Sequence, residues 1–182
     1  IATMISTFFI ELIADRIFAA QRIIGILHLV GAILLFLATT VTVNTPFYWI
    51  ILFYSLLYMP TIALSNSIAF YQMTDPGRQF PWIRVFGTLG WIVAGLLIGN
   101  LQWEKSVNTF YLAAAASAAI GLISFILPNT PPKGRFSEVS ADKALGSDAF
   151  GLVKNKAYLI FLIAAILVCI PLSFYYGFGN SF

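Results

Sequence analysis

Residues 80–99 read FPWIRVFGTLGWIVAGLLIG, an apolar run interrupted by a single charged side chain, Arg84. A helix of about 20 apolar residues is long enough to span the hydrocarbon core of a bilayer. The rest of the 182-residue chain has the same character, because 60% of its residues are hydrophobic and 9% are charged. Soluble domains average about 45–50% apolar and about 25% charged residues. The sequence therefore predicts an all-α integral membrane protein and excludes a soluble globular domain.

Similar apolar runs recur along the chain and predict membrane spans at residues 1–14, 23–42, 47–71, 80–99, 106–127 and 157–178. The first run is too short to cross a bilayer alone, and the chain opens on Ile1 without an initiator Met. We therefore expect a fragment that lacks an upstream segment. Residues 128–156 are polar and rich in Pro and charge, which predicts a linker between the helical residues 1–127 and a further helix within residues 157–182.

The basic residues are distributed unevenly between the two sides of the predicted membrane. The connections at residues 15–22, 73–79 and 128–156 carry Arg16, Arg22, Arg78, Lys133, Arg135, Lys143, Lys154 and Lys156, whereas residues 101–105 carry only Lys105. Cytoplasmic loops of membrane proteins hold an excess of Lys and Arg. We therefore predict that the first three connections are cytoplasmic and that residues 101–105 face outside. The net charge of +3 reflects this topology, and no basic face indicates nucleic-acid binding.

Arg84, Thr88 and Trp91 share one face of the fourth predicted helix, because they are spaced at i, i+4 and i+7. A guanidinium stays charged and costs at least about 2.5 kcal/mol to insert at the centre of a bilayer, so Arg84 must face protein or water. Arg84 and Thr88 can hydrogen-bond a solute, and Trp91 can stack on a flat ring. The face therefore predicts a site for a polar, ring-containing solute. The alternative is that Arg84 snorkels to the cytoplasmic interface.

The same predicted helix is rich in glycine. Gly95 and Gly99 stand in the G-x-x-x-G spacing that lets the backbones of two membrane helices approach closely. We therefore expect another helix to pack against this end of the fourth span.

Two other predicted spans contain polar residues. Pro60 interrupts the third span and leaves a carbonyl one turn earlier without its amide partner, so Thr61, Ser65 and Asn66 are expected either to pair with backbone or to face a cavity. Asn66 is the strongest candidate, for solute contact or for a structural contact between helices. His28 in the second span is either a proton relay, since its unperturbed pKa is near neutrality, or a packing residue.

Catalysis and metal binding have little support in the sequence. The chain contains no paired intramembrane carboxylates, no metal-ligand cluster and no Gly-Lys-Ser/Thr phosphate loop. Cys169 is the only cysteine, so no disulfide can form within the chain. We therefore predict that the protein is not an enzyme and that it has no cofactor and no metal site.

Several stretches resemble the nucleoside:proton symporters of the major facilitator superfamily. The segment from Glu11 through Asp15-Arg16 to Gln21-Arg22 resembles the acidic-basic signature loop of that superfamily. Further resemblance lies in YMPT at 58–61 followed by Asn66, FPWIRVFGTLGW at 80–91, LGSDAF at 145–150, KNK at 154–156 and FGNSF at 178–182. Together these stretches cover essentially the whole chain.

The resemblance implies a major facilitator fold of twelve helices in two six-helix halves. This chain would cover about helices 2–7, with residues 1–127 in the first half, residues 128–156 as the central loop and residues 157–182 opening the second half. The resemblance also implies proton-coupled symport of nucleosides by alternating access, in the inner membrane of a bacterium. The expected partners are a nucleoside, the coupling proton and the lipid bilayer, and the expected working unit is a monomer.

The resemblance also assigns roles to particular residues. In the family, the arginine, threonine and aromatic residue of the Phe-Pro-x-Ile-Arg helix contact nucleoside, and these correspond here to Arg84, Thr88 and Trp91. The seventh helix would add Ser173 and Tyr176, where the best-known members have Gln and Asn. The signature loop would contribute Asp15, Arg16 and Arg22.

Two other functions remain open from the sequence. A major facilitator transporter of sugars or of another small polar metabolite would use the same fold and a similar polar site. A membrane scaffold or sensor would keep the fold without moving a solute. The hydroxyls of Ser173 and Tyr176 suit a polar, ring-bearing ligand but do not identify one nucleoside.

Overall fold

The structure is a computed structural model that describes Ser6, Thr7, Ile10, residues 18–131 and residues 155–178, with side chains through Pro171. Its helices are α1 (Ala20–Thr40), α2 (Asn44–Gln72), α3 (Pro76–Asn100), α4 (Asn108–Ser124) and α5 (Lys156–Phe178). Ser6, Thr7 and Ile10 are helical as well. The chain forms two compact units, Ile1–Arg135 and Phe136–Phe182, so α1 to α4 belong to the first unit and α5 to the second.

The described helices coincide, within a few residues at each end, with the predicted spans at 23–42, 47–71, 80–99, 106–127 and 157–178. Within the described residues, α1, α2 and α3 are long and apolar enough to cross a membrane, and α4 and Lys156–Pro171 are shorter apolar helices. The prediction of an all-α membrane fold is therefore confirmed. Most of the first predicted span, residues 1–14, lies outside the described residues.

Two predicted loops, 15–22 and 73–79, are wrong at their C-terminal ends, because α1 and α3 begin earlier than hydrophobicity alone suggests. Asp75 caps α3 by accepting a hydrogen bond from the Arg78 backbone amide at 3.3 Å, and Pro76 occupies the first turn. A carboxylate cap followed by proline is a favourable helix start. Arg22 likewise lies in the first turn of α1 rather than in a loop. Polar first turns carry no hydrophobic signal, so the predicted spans started too late.

Small residues hold α1 and α4 together. The buried residues of α4 are Ala114, Ser117, Gly121 and Ser124. A Cβ atom added at Gly121 would lie 2.8 Å from Leu29 Cγ and 3.1 Å from the Gly25 carbonyl oxygen, so only glycine fits this contact. Membrane helices associate through such close backbone approaches because lipid leaves them little hydrophobic driving force.

The close contact expected at Gly95 and Gly99 is not found within the described part of the chain. There, nothing lies within 4 Å of a Cβ atom built at Gly95, and the nearest atom at Gly99 is a Glu104 carboxylate oxygen at 3.9 Å. The close approach that the sequence placed on α3 is instead made between α1 and α4.

Pro60 is fully buried in α2 and cannot donate a backbone hydrogen bond to the Leu56 carbonyl. The Ser6 hydroxyl, from the preceding helical segment, donates to that carbonyl oxygen. Thr61 and Ser65, which the sequence suggested for this role, donate to carbonyls three residues earlier on α2, at 2.6 Å and 2.8 Å. The break in α2 is therefore compensated by a neighbouring helix.

A buried hydrogen-bonded cluster ties the end of α4 to α1 and α2. The Gln21 side chain accepts a bond from the Thr130 backbone amide at 3.0 Å and donates to Asn129 Oδ1 at 2.8 Å. Gln72 Nε2 donates to the Thr130 hydroxyl at 3.3 Å. Gln21 and Thr130 are only 4% and 5% exposed, and buried amides are stable only when they are paired in this way. The residues after α4 are thereby anchored to the bundle.

Helix α3 is packed far more sparsely. It contains no buried residue, and its contact with α2 includes the stacked rings of Phe70 and Phe80, whose centroids are 4.5 Å apart. Helix α3 thus runs beside α2 with most of its surface uncovered by the described residues.

Candidate solute-binding site

A cavity of about 370 Å³ lies between α2 and α3. Its walls carry both polar and apolar side chains, namely Ile62, Ser65 and Asn66 from α2, and Ile83, Arg84, Gly87, Thr88 and Trp91 from α3. The structure therefore brings Arg84, Thr88 and Trp91 together on one wall and places Asn66 on the facing wall. A cavity of this size, mostly apolar with a few polar groups, is typical of small-molecule sites.

Among the described residues that line this cavity, Arg84 is the only charged one. It follows Pro76, the first residue of α3, by about 12 Å along the helix axis at 1.5 Å per residue. It therefore lies about two turns inside the helix, deeper than the predicted start at residue 80 implied. Within the described residues, no carboxylate forms an ion pair with its guanidinium. The donors of Arg84 are available to a ligand in the cavity.

Thr88 and Asn66 add complementary hydrogen-bonding groups. The Thr88 hydroxyl donates to the Arg84 carbonyl oxygen at 3.1 Å, so in this structure it offers a solute its oxygen as an acceptor rather than its proton. Asn66 is partly buried, and its side-chain amide forms no hydrogen bond with the described residues. An amide can both donate and accept. The cavity therefore presents a fixed cation, an acceptor and a group that can do both.

Trp91 supplies a large flat ring to the same wall. Its side chain is 65% exposed, and Trp82 on the same helix is 67% exposed. The spacing of these two residues places them on opposite faces of α3, and only Trp91 lines the cavity. Gly87, between Arg84 and Trp91 along the helix, leaves space there, because nothing lies within 4 Å of a Cβ atom built on it. A planar ligand can lie against Trp91 without meeting a side chain at Gly87.

His28 does not join this cavity. It lies in α1, where it contacts Ser117 of α4 at 3.1 Å through Nδ1 and lines a separate cavity of about 340 Å³. Ile62 and Ser65 line both cavities. Asn66 lines the solute cavity and a further space beside Phe70 and Tyr71.

The remaining predicted site residues are not placed by the structure. Ser173 and Tyr176 belong to α5, but their side chains lie outside the described residues. Asp15 and Arg16 also lie outside them, and Arg22 is exposed in the first turn of α1. The second wall of the site that the family resemblance implies is therefore not described.

The sequence did not single out Ile62, Ile83 or Gly87 as lining residues. Gly87 follows Arg84 at +3, a neighbouring position on one helical face, whereas Ile83 directly precedes Arg84 and is not on the same line of side chains. Ser117 was also missed, although its helical spacing with Gly121 and Ser124 marks a face of small residues. Its partnership with His28 joins residues 89 positions apart, which no local pattern predicts.

The comparisons with known proteins point to one family. A model of the nucleoside H+ symporter family matches residues 1–182, the whole of this chain. Three similar proteins come from Escherichia coli K12. The chain is 39% identical to the protein YegT, 37% identical to a xanthosine permease and 36% identical to the nucleoside permease NupG. Each alignment covers 100% of this chain and 44% of the relative, so the chain spans less than half of their length.

The fold agrees with solved structures of the nucleoside transporter NupG. An aspartate-to-alanine mutant of NupG superimposes with a TM-score of 0.80 at 35% identity, covering 97% of this chain and 45% of that chain. Another crystal structure of NupG gives a TM-score of 0.76 and covers 100% of this chain and 46% of that chain. This chain therefore resembles NupG both in sequence, at 35% identity, and in backbone fold.

Proposed function

This chain belongs to the nucleoside H+ symporter family, and we propose that the full-length protein carries out proton-coupled symport of nucleosides by alternating access. The fold is that of the major facilitator superfamily, in which two helical halves enclose a solute site near the middle of the membrane. The observation that carries the proposal is the cavity between α2 and α3, where Arg84, Thr88, Trp91 and Asn66 meet.

The chemistry of the cavity suits a nucleoside. A nucleobase offers a flat face to the Trp91 ring, while its carbonyl oxygens and the ribose hydroxyls offer acceptors to the Arg84 guanidinium. The ribose hydroxyls can also donate to Thr88 Oγ1, whose own proton is bonded to the Arg84 carbonyl. Asn66 can pair with a donor and an acceptor at once, which matches the edge of a base.

The same proposal covers the remaining site residues, the membrane in which the protein lies and its orientation there. From the family resemblance, we propose that Ser173 and Tyr176 of α5 also contact the solute. The protein lies in the inner membrane of a bacterium and acts as a monomer. Residues 15–22, 73–79 and 128–156 face the cytoplasm, because eight of the ten Lys and Arg residues lie in these three segments.

A binding and transport panel with the purified full-length protein tests the substrate class. We expect uridine, adenosine or xanthosine to compete for one site and to accumulate in proteoliposomes under an inward proton gradient. Hexoses and disaccharides should neither compete nor accumulate, because they lack a flat face for Trp91. Accumulation of a sugar without any nucleoside would reassign the substrate, and no flux of any solute would support a scaffold or sensor.

A matched pair of variants ties the panel to this cavity. Thr88→Val removes the hydroxyl that lines the cavity, whereas Thr40→Val removes an exposed hydroxyl that donates to the Leu37 carbonyl at 2.8 Å. A neutral hydrogen bond is worth about 0.5–1.5 kcal/mol, or roughly twofold to tenfold in affinity. We expect weakened nucleoside binding in the first variant and unchanged binding in the second. Equal binding by both would contradict a role for this wall.

A further inference from the structure

His28 lies in a second cavity that the proposed solute site does not use. Its side chain is only 9% exposed, and it faces a space of about 340 Å³ among α1, α2 and the end of α4. The walls of this space are largely apolar, and the polar groups there come from Tyr58, Thr61, Ser65 and Ser124. A buried imidazole in such surroundings needs a reason beyond packing, since polar groups are costly to bury.

The hydrogen bonds around His28 determine which ring nitrogen holds the proton. The Ser117 hydroxyl donates its one proton to the His28 carbonyl oxygen at 2.9 Å. Ser117 Oγ therefore accepts in its contact with His28 Nδ1 at 3.1 Å, and Nδ1 is the protonated nitrogen. Nε2 of the neutral ring then carries a free lone pair, and no hydrogen bond from the described residues reaches it.

Nε2 is a basic atom with no charged neighbour on the described helices that pack against it. On α2, Tyr58 meets the imidazole edge-on with centroids 6.1 Å apart, and Tyr54 stacks on Tyr58 at 5.5 Å. The buried residues that α4 contributes are small and uncharged, and none of the described residues that line the cavity is Lys, Arg, Asp or Glu. A proton can add to Nε2 without breaking the bond to Ser117, because both nitrogens of an imidazolium donate.

The position of this cavity connects it to the solute site. Ile62 and Ser65 of α2 line both spaces, so the two cavities lie on neighbouring sides of the same turn of one helix. A change in the packing of α2 that accompanies solute binding would therefore alter a wall of the His28 cavity.

We propose that His28 is a proton-binding site of the transporter and that it takes up the coupling proton at Nε2. This inference rests on the proposed function, since it assigns a residue to the proton that the symport requires. The proton comes from water and returns to water, so the step forms and breaks one N–H bond without redox chemistry. An imidazolium without a counter-ion is costly in an apolar cavity, so protonation favours the conformation in which the cavity is hydrated. That difference between conformations is what couples proton binding to alternating access.

The test measures protons and nucleoside together in proteoliposomes containing the full-length protein. His28→Asn keeps an amide donor near the Nδ1 position for Ser117 but has no nitrogen that takes up a proton near neutral pH. We expect the ratio of protons to nucleoside taken up to fall at least about tenfold, while nucleoside exchange without a gradient continues, because only the proton acceptor is removed. Ser117→Ala is the matched control, because it deletes the inter-helix bond that His28→Asn retains and keeps the imidazole. Its ratio should stay within about twofold of wild type.

The outcomes separate a proton site from a structural contact. A wild-type proton ratio in His28→Asn would overturn the proposal, as would equal losses of coupling in His28→Asn and Ser117→Ala. If His28→Asn cannot be purified as folded protein, His28→Gln replaces it, with the same expected ratio and the same contradicting result. The experiment measures nucleoside exchange separately from proton uptake. Failure of the wild-type protein to exchange any nucleoside would therefore refute the proposed function instead.

Discussion

The bundle of α1, α2 and α4 and the neighbouring helix α3 use the same residue types in opposite ways. In the bundle, Gly25 and Gly121 bring two backbones into contact, and Gln21 is buried with both ends of its amide hydrogen-bonded. On α3, Gly87 and Gly95 have open space around them, and Arg84 has no partner among the described residues. Glycine and polar side chains thus stabilise the bundle, whereas on α3 they leave room and hydrogen-bonding capacity unused.

This difference gives a criterion that separates structural from functional polar residues in a membrane helix, namely whether the polar group is fully paired within the protein. A buried polar group that is fully paired within the protein has no capacity left for a solute. A polar group in a cavity with unused donors is expensive in the membrane and is retained because a ligand or water uses it. By this criterion we propose that Gln21 is structural and that Arg84 and Asn66 bind the solute. His28 stands between them, because only one of its ring nitrogens is paired within the described residues.

The largest expected effect concerns the close approach of α1 and α4. Gly121→Val would place its Cβ 3.1 Å from the Gly25 carbonyl oxygen, and overpacking of this kind costs about 1–3 kcal/mol. Gly95→Val is the matched control, because nothing described lies within 4 Å of its Cβ position. We expect the melting temperature of the purified full-length protein to fall clearly for Gly121→Val and little for Gly95→Val. Equal losses would instead favour the contact that the sequence predicts at Gly95 and Gly99.

A loss of stability of similar size is expected from the cluster at the end of α4. Gln21→Ala leaves the Thr130 backbone amide without its partner at 3.0 Å in a position that is 5% exposed, and such an orphaned donor costs about 1–3 kcal/mol. Thr40→Ala, which removes an exposed intrahelical bond, should change the melting temperature by much less. A larger loss for Thr40→Ala would show that the buried cluster does not anchor the bundle.

The bundle and α3 also differ in how far the sequence predicts them. Hydrophobicity located every described helix, and helical spacing placed Arg84, Thr88 and Trp91 on one face, because both are local properties of the chain. The sequence missed the polar start of α3 at Asp75 and Pro76, since those residues carry no hydrophobic signal. It also placed the close approach at Gly95 and Gly99, whereas the structure has it at Gly25 and Gly121, because the contact depends on which helix comes to lie opposite.

Long-range partners were beyond local patterns for the same reason. The sequence showed that Pro60 frees a carbonyl, but Ser6 satisfies it from about 50 residues away. The residue type of His28 likewise suggested a proton relay or a packing residue. Its contact with Ser117 could be seen only in the structure, because it depends on how α1 packs on α4.

The two tryptophans of α3 give a test within one helix. Trp91→Leu removes the ring that lines the solute cavity, whereas Trp82→Leu removes a similarly exposed ring from the opposite face. Aromatic stacking contributes about 0.5–1.5 kcal/mol beyond the buried area. We expect the nucleoside dissociation constant to rise about twofold to tenfold for Trp91→Leu and to stay at the wild-type value for Trp82→Leu. The reverse order would place the solute on the other face of α3.

The proposed solute site depends most on Arg84, whose planar guanidinium, with its forked donors, should orient the solute in the cavity between α2 and α3. Arg84→Lys keeps the charge and the long stem but loses the fork, so it separates oriented hydrogen bonding from simple snorkelling. The deciding measurement is the dissociation constant for nucleoside of purified, folded Arg84→Lys protein beside wild type and Arg84→Ala. A lost donor is worth about 0.5–1.5 kcal/mol, so we expect Lys to weaken binding at least about twofold and nearly as much as Ala. Wild-type affinity in Arg84→Lys would contradict the account and remove Arg84 from the solute site.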